Sequence, residues 1–237
     1  MIIWKLWIEQ MKIVAISDTH GQLLEDIPPC DIFIHAGDIC PVTNHTRSFQ
    51  SNWLRDKFAP WLESVPAKHK VIIAGNHDWI WYNSKNLVPK LNCHYLENSS
   101  VEINGLLLWG SPWTPYFCDW AFNFPESEKT GECPRTKATW EIIPENTDIL
   151  ITHGPPQGRG DCAIGRTGIE RVGCPELLKR ISEVKPKYHI FGHIHSSSDF
   201  DKISSLSHVN GKETQFCNVS VLNEAYILEW EPTIIEI

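Results

Sequence analysis

The chain has 237 residues, 42% of them hydrophobic and 21% charged, with a formal net charge of -8. That length buries a sizeable core in one large domain or two small ones, and the composition is that of a globular protein. The acidic balance argues against a dedicated nucleic-acid surface and against an anionic-membrane surface, because both favour basic faces. A small phosphorylated substrate stays compatible with it, since a local metal charge outweighs the global field.

Eight cysteines lie scattered at 30, 40, 93, 118, 133, 162, 174 and 217, with no C-x-x-C pair. A zinc ribbon or thioredoxin motif is therefore absent, and disulfide frameworks belong to much shorter secreted chains. Reduced thiols and a cytoplasmic location are the expectation. Residues 1–10 are apolar but carry Lys5 and Glu9, lack a basic start and a small-residue cleavage site, and are too short to span a bilayer. They read as an extra edge strand or an extension ahead of one domain over 11–237. Homo-oligomerisation is left open.

Along the chain, Ile13–Ile16 is a short apolar run that breaks into Asp18-Thr19-His20-Gly21. It reads as a buried strand with its polar residues on the carboxyl-end loop, where open α/β sheets place ligands. Asp31–Ala36 runs into Gly37-Asp38. Phe49, Trp53, Leu54, Phe58, Trp61 and Leu62 recur at helical spacing, which predicts a helix over Ser48–Leu62 with Thr46 or Ser48 as cap. Lys70–Ala74 runs into Gly75-Asn76-His77-Asp78, and Asn104-Gly105 reads as a hairpin turn between Ser100–Ile103 and Leu106–Trp109. Ser111–Arg135, with its prolines and tryptophans, reads as a long packed loop.

Asp148–Ile151 then ends at Thr152-His153-Gly154, and a glycine-rich loop bearing Arg159 and Arg166 follows. Pro175 near the start, an apolar side of Leu177, Leu178, Ile181 and Val184, and Pro186 beyond the end predict a helix over Cys174–Val184. Tyr188–Phe191 ends at Gly192-His193-Ile194-His195. Phe216–Val221 and Ala225–Trp230 read as two closing strands of an antiparallel edge. There is no internal repeat, so an α/β domain with a mixed sheet system is the economical reading.

Five polar clusters thus follow five apolar runs: Asp18-x-His20, Gly37-Asp38, Gly75-Asn76-His77, Thr152-His153-Gly154 and Gly192-His193-x-His195. Singly, each has an ordinary explanation. Asp38 reads equally as a helix cap, Asn76 as a turn residue, His153 as a satisfied loop histidine. Five in one order, each directly behind an apolar run, are hard to obtain by chance. A mixed nitrogen and oxygen set without cysteine suits Mn, Fe, Zn, Ni or Co better than Mg or Ca. With His77 held aside, the seven remaining candidates are too many for one catalytic ion with an open position and about right for two ions sharing a carboxylate.

The ordered set resembles the calcineurin-like metallophosphoesterase superfamily from Met11 to the carboxyl end. Ile151–Pro156, Arg171–Leu177, Gly110–Trp113 and Lys185–Lys187 ahead of Phe191-Gly192-His193 are similar to its metallophosphoesterase-domain-containing branch. Some members of that branch have glycine where His193 stands; this chain keeps the histidine. The resemblance implies two mixed β-sheets packed face to face and flanked by helices, with a dimetal site at one end. It implies one ion held by Asp18, His20, Asp38 and His195, and a second by Asp38, Asn76, His153 and His193. Asp38 would be the bridge and His77 a general acid rather than a ligand. The implied chemistry is in-line attack of activated water on a small phosphoester, with a phosphodiester such as a cyclic nucleotide favoured over a monoester. A protein-phosphatase subclass is disfavoured, because Gly37-Asp38 is followed by Ile39-Cys40-Pro41-Val42. His35 reads as a buried strand histidine or as a partner orienting a ligand. Arg159 and Arg166 are candidates for holding phosphate, with surface salt bridging as their alternative.

Overall fold

The computed structural model describes residues 10–128, 133–165, 168–195, 203–207 and 211–237. Most of the amino-terminal stretch and Arg166 lie outside the described residues. Two sheets carry the architecture. The first takes β1 (Lys12–Ile16), β2 (Cys30–Ala36), β3 (Ala67–Ile73) and β4 (His94–Tyr95), all mutually parallel. The second takes β5 (Ser99–Ile103), β6 (Leu106–Ser111), β7 (Ile149–Thr152) and β10 (Tyr188–Phe191), followed by β11 (Ile203–Ser207) and β12 (Glu213–Asn218), in the order β11-β12-β10-β7-β6-β5. Its β6, β7, β10 and β12 are parallel and its two edges antiparallel. β8 (Cys162–Gly165) and β9 (Gly168–Arg171) form a separate hairpin, and β13 (Thr233–Glu236) closes the first sheet antiparallel to β1.

Alternation along the strands builds three apolar layers. Ile13, Ala15, Ile32, Ile34, Val71 and Ile73 face Leu108, Ile149, Ile151, Ile190 and Cys217 between the sheets. The opposite faces of those strands, Val14, Ile16, Phe33 and Ile72, pack on Leu54, Phe58, Leu62, Ile80 and Trp81. These come from a π-helical turn (Leu54–Phe58) that follows α1 (Arg47–Trp53), from α2 (Ala59–Ser64) and from α3 (Trp79–Asn83). On the far side, Trp109, Leu150, Phe191 and Phe216 pack on α4 (Pro134–Glu141) and α5 (Pro175–Val184). Two mixed sheets face to face with helices outside are the fold class expected from the sequence.

Five expectations need correction. The helix expected over Ser48–Leu62 runs from Arg47 to Ser64 with a π-helical turn inside it, and the Thr46 hydroxyl donates to Asn44 Oδ1 at 2.7 Å rather than capping it. The glycine-rich loop after His153 contains the β8–β9 hairpin, and α4 begins inside the stretch read as a loop. Ala225–Trp230 is not a strand. Asn223 Oδ1 accepts the amides of Ala225 and Ile227, and Tyr226 adopts φ 58°, so the segment curls into a turn. β12 pairs parallel with β10, and the antiparallel edges are β11 on β12 and β13 on β1.

Candidate metal centre

The polar clusters converge at the carboxyl ends of β1, β2, β3, β7 and β10. The loops that carry them are bent hard: Asp18, His20, Asp38 and His193 hold φ of 56°, 45°, 53° and 69°. Non-glycine residues at positive φ are uncommon, and four at one site indicate backbone strain imposed by the surrounding structure. The glycines beside them leave room for side-chain atoms. A Cβ on Gly37 would stand 2.5 Å from His153 Nδ1, and one on Gly75 would stand 2.7 Å from His153 Cε1 and overlap Asp38 Oδ1.

Two groups of donor atoms result. Asp18, His20 and His195 bring one ligand atom each within 4.8 Å of one another, as do Asp38, His153 and His193. Asp38 Oδ2 stands between the groups, 3.7 Å from His20 Nε2 and 3.4 Å from His153 Nε2. Asn76 Oδ1 reaches His153 Nε2 at 2.8 Å, which adds it to the second group. Neighbouring groups fix the imidazoles: His153 Nδ1 contacts the Ala36 carbonyl at 3.0 Å and His195 Nδ1 the Asn223 carbonyl at 3.1 Å. Both rings therefore present Nε2 inward, the usual way a protein aims a histidine ligand. Asp18 receives the His193 amide on Oδ2, while its Oδ1, His20 Nδ1 and Asn76 Nδ2 are buried without a hydrogen-bond partner. Of these, Asp18 Oδ1 offers free lone pairs among convergent oxygen and imidazole donors, which fits a divalent cation.

The electrostatics agree. Burial alone would push the Asp18 carboxyl up, but its contact with His195 and the field of His153 hold it well below the usual carboxylate range. Burial works likewise against ionised Asp38, and His153 and His77 overcome it. Burial lowers His20 to about 4 and His193 to about 3, which keeps their imidazoles neutral. His153 is desolvated too, yet Asp38 beside it raises it to about 9. A proton there occupies the space between Asp38 and Asn76 that a cation would take.

His35, read from the sequence as a buried strand histidine or an orienting partner, and several residues that the sequence did not single out build the frame. Buried Asp78 accepts the amides of Ile39 and Cys40, the latter at 2.8 Å, and of Gly75 at 2.8 Å, tying the Asp38 loop to the Asn76 loop. His35 Nε2 meets Thr19 Oγ1 at 3.0 Å, and His189 Nε2 meets Thr152 Oγ1 at 2.8 Å. Each strand histidine thus braces the threonine next to a donor residue, which joins both readings of His35. Only the position of a histidine on a strand beside a cluster hinted at these roles. Tyr226 lays its ring 4.9 Å from His20 and 5.4 Å from His195.

His77 stands beside the two groups rather than in either. Its backbone amide donates to Asp38 Oδ1 at 2.8 Å, and its ring contacts Trp120 at a centroid distance of 4.5 Å. With His20, Asp38, Asn76, His193 and His195 it lines a cleft of about 730 Å³, whose walls include Tyr116, Phe117, Trp120, Tyr226 and the β8–β9 hairpin. Arg159 is not among the residues lining that cleft; its guanidinium lies 5.6 Å over the Phe216 ring. Arg171 lines the cleft instead and pairs with buried Asp161 at 2.6 Å.

A family model described as calcineurin-like phosphoesterase matches residues 11–197. Metallophosphoesterase domain-containing protein 1 of Homo sapiens is 34% identical over 226 residues, covering 84% of this chain and 65% of the relative, and the Mus musculus protein gives the same figures. The chain thus spans under two thirds of the length of those relatives. A Caenorhabditis elegans UPF0046 protein is 32% identical over 94% of this chain and 74% of its own. Among solved structures, the Thermus thermophilus protein TT1561 superposes with a TM-score of 0.51 at 14% identity, over 94% of this chain and 99% of its own. NAD nucleotidase of Haemophilus influenzae does so at 0.51 and 13%, over 88% of this chain and 45% of its own, and both likenesses concern the fold alone. With the match over residues 11–197 and the paired donor groups at the ends of five strands, the chain belongs to the calcineurin-like phosphoesterase family.

Proposed function

We propose that the protein is a dimetal phosphodiesterase acting on small phosphodiesters such as cyclic nucleotides. The observation that carries this reading is Asp38, whose Oδ2 lies within 3.7 Å of His20 and 3.4 Å of His153, one from each donor group. In the proposal Asp18, His20, Asp38 and His195 hold one ion, and Asp38, Asn76, His153 and His193 hold the other. Bound divalent ions supply water activation at neutral pH and charge neutralisation on phosphoryl oxygens. The chain's own residues do the rest. The carboxylate of Asp38 ties the two halves into one unit. His77, on the cleft wall beside both groups, protonates the leaving oxygen.

The cleft favours a diester. Glu128, Glu170, Glu176 and Glu224 line it, and Arg171 is the only arginine or lysine among the described residues that do. An acidic wall tolerates a diester's single negative charge better than the two of a monoester at neutral pH. The faces of Tyr116, Phe117 and Trp120 suit a flat base stacking above the site. The test is to measure bound metal and compare turnover of a generic phosphodiester, a phosphomonoester and cyclic nucleotides, with His77→Ala alongside. Diester turnover that needs metal and falls in the variant is expected. Stoichiometric metal without turnover of any of the three would instead indicate a metal-binding scaffold on this fold.

A further inference from the structure

His77 is held from the segment that follows β2. The ring nitrogen His77 Nδ1 lies 3.1 Å from His45 Nε2, and the two ring centroids are 5.2 Å apart. Five residues on, buried Gln50 donates to the His77 carbonyl at 2.8 Å and accepts the Ile80 amide at 2.9 Å. Backbone and side chain of His77 are therefore both pinned by the stretch His45–Gln50, while Trp120 packs against the ring.

We infer that His45 is the positioning residue for His77, accepting its Nδ1–H and so presenting Nε2 to the leaving group. A histidine that gives up a proton at Nε2 keeps the other on Nδ1, and that hydrogen needs an acceptor. No carboxylate takes this place: the residues after Asp38 are Ile39, Cys40, Pro41 and Val42, and the acceptor is a neutral imidazole. Burial, with His77 alongside, lowers His45 from its ordinary value, which keeps Nε2 a lone-pair acceptor. The partner thus fixes the ring without adding a counter-charge beside Asp38. This rests on the reading of His77 as the acid.

Two variants separate the hydrogen bond from packing. His45→Phe keeps a ring and removes the acceptor; His45→Gln removes the ring and keeps an acceptor near the Nε2 position. With phosphodiesters of poor alkyl leaving groups, His45→Phe should lower kcat roughly 10- to 100-fold with KM little changed, the scale of a misplaced catalytic group. An activated nitrophenyl leaving group should be nearly spared, His45→Gln should recover most of the loss, and bound metal should stay at the wild-type amount in both. The second readout needs no activity. Imidazole ¹⁵N spectra of the zinc-loaded protein should show His77 with Nδ1 protonated, and His45→Phe should spread it over both tautomers. An unchanged His77 spectrum in His45→Phe, or equal loss with both leaving groups, overturns the inference. Absence of turnover in the wild type would overturn the proposed function, and the spectra would still decide the His45–His77 bond.

Discussion

Gly192 sits between β10 and His193, and its replacement by alanine tests how closely the centre is built. A Cβ there would stand 2.6 Å from Ser17 Cβ and nearer still to Ser17 Oγ and Asp18 Oδ2. Carbon atoms pack comfortably at about 3.5–4.0 Å, so something must move by roughly 1 Å. Ser17 resists, because it is fully buried and its hydroxyl donates to the Ala36 carbonyl at 3.0 Å. The Gly192 amide is held as well, donating to the His153 carbonyl at 3.0 Å. Asp18 is left to yield, and in its proposed role as a metal ligand it tolerates only about 0.2 Å. Gly192→Ala should therefore cost about 1–3 kcal/mol of stability through overpacking and weaken the ion held by Asp18 by roughly 10- to 100-fold or more. Thermal unfolding and metal titration by calorimetry measure both. A variant with wild-type metal affinity and midpoint would refute the reasoning, because Asp18 could then move without consequence or take no part in binding.

Further outcomes follow from the frame around the centre. Asp78→Asn replaces one carboxylate oxygen with an amide NH₂, so either the Cys40 or the Gly75 amide loses its acceptor. A buried unsatisfied amide costs about 1–3 kcal/mol, so a lowered denaturation midpoint and weaker metal binding are expected. His189 is fully buried and desolvation lowers it to about 3, whereas the unfolded imidazole titrates near 6.5. The unfolded state therefore binds the extra proton, and this contribution is fully present above about pH 6.5 and lost as pH falls toward 3. Between pH 7.5 and 5.0 the loss amounts to about 2 kcal/mol. Denaturant melts of His189→Gln at those two pH values should show a correspondingly smaller difference, and an equal difference would remove His189 from the account.

The candidate donor set was legible because each member follows a buried strand and lies beside a glycine or a second polar residue, a pattern visible without knowing how strands pair. Asp18 and His20 alone say little; Asp38 and His195, distant in sequence, give them company. Pairing was harder to read. Phe216–Asn218 was visible as part of a strand, but its partner β10 precedes it by two dozen residues, and parallel register leaves no turn signature in sequence. Ala225–Trp230 misleads because its apolar residues mimic a strand, while the amides accepted by Asn223 decide the local backbone. His45 was invisible as an acid's partner. One histidine in a polar loop has no pattern, and only folding sets it 3.1 Å from His77.

The central claim is that Asp38 joins two metal sites into one hydrolytic centre. The most direct measurement is metal content per chain, by elemental analysis, together with phosphodiester turnover, for the wild type, the metal-stripped protein and Asp38→Ala. Two ions per chain with turnover in the wild type are predicted, with turnover lost on stripping and restored by added manganese or zinc, and with both ions weakened and turnover abolished in Asp38→Ala. Full hydrolysis by metal-stripped protein or by Asp38→Ala would contradict the account.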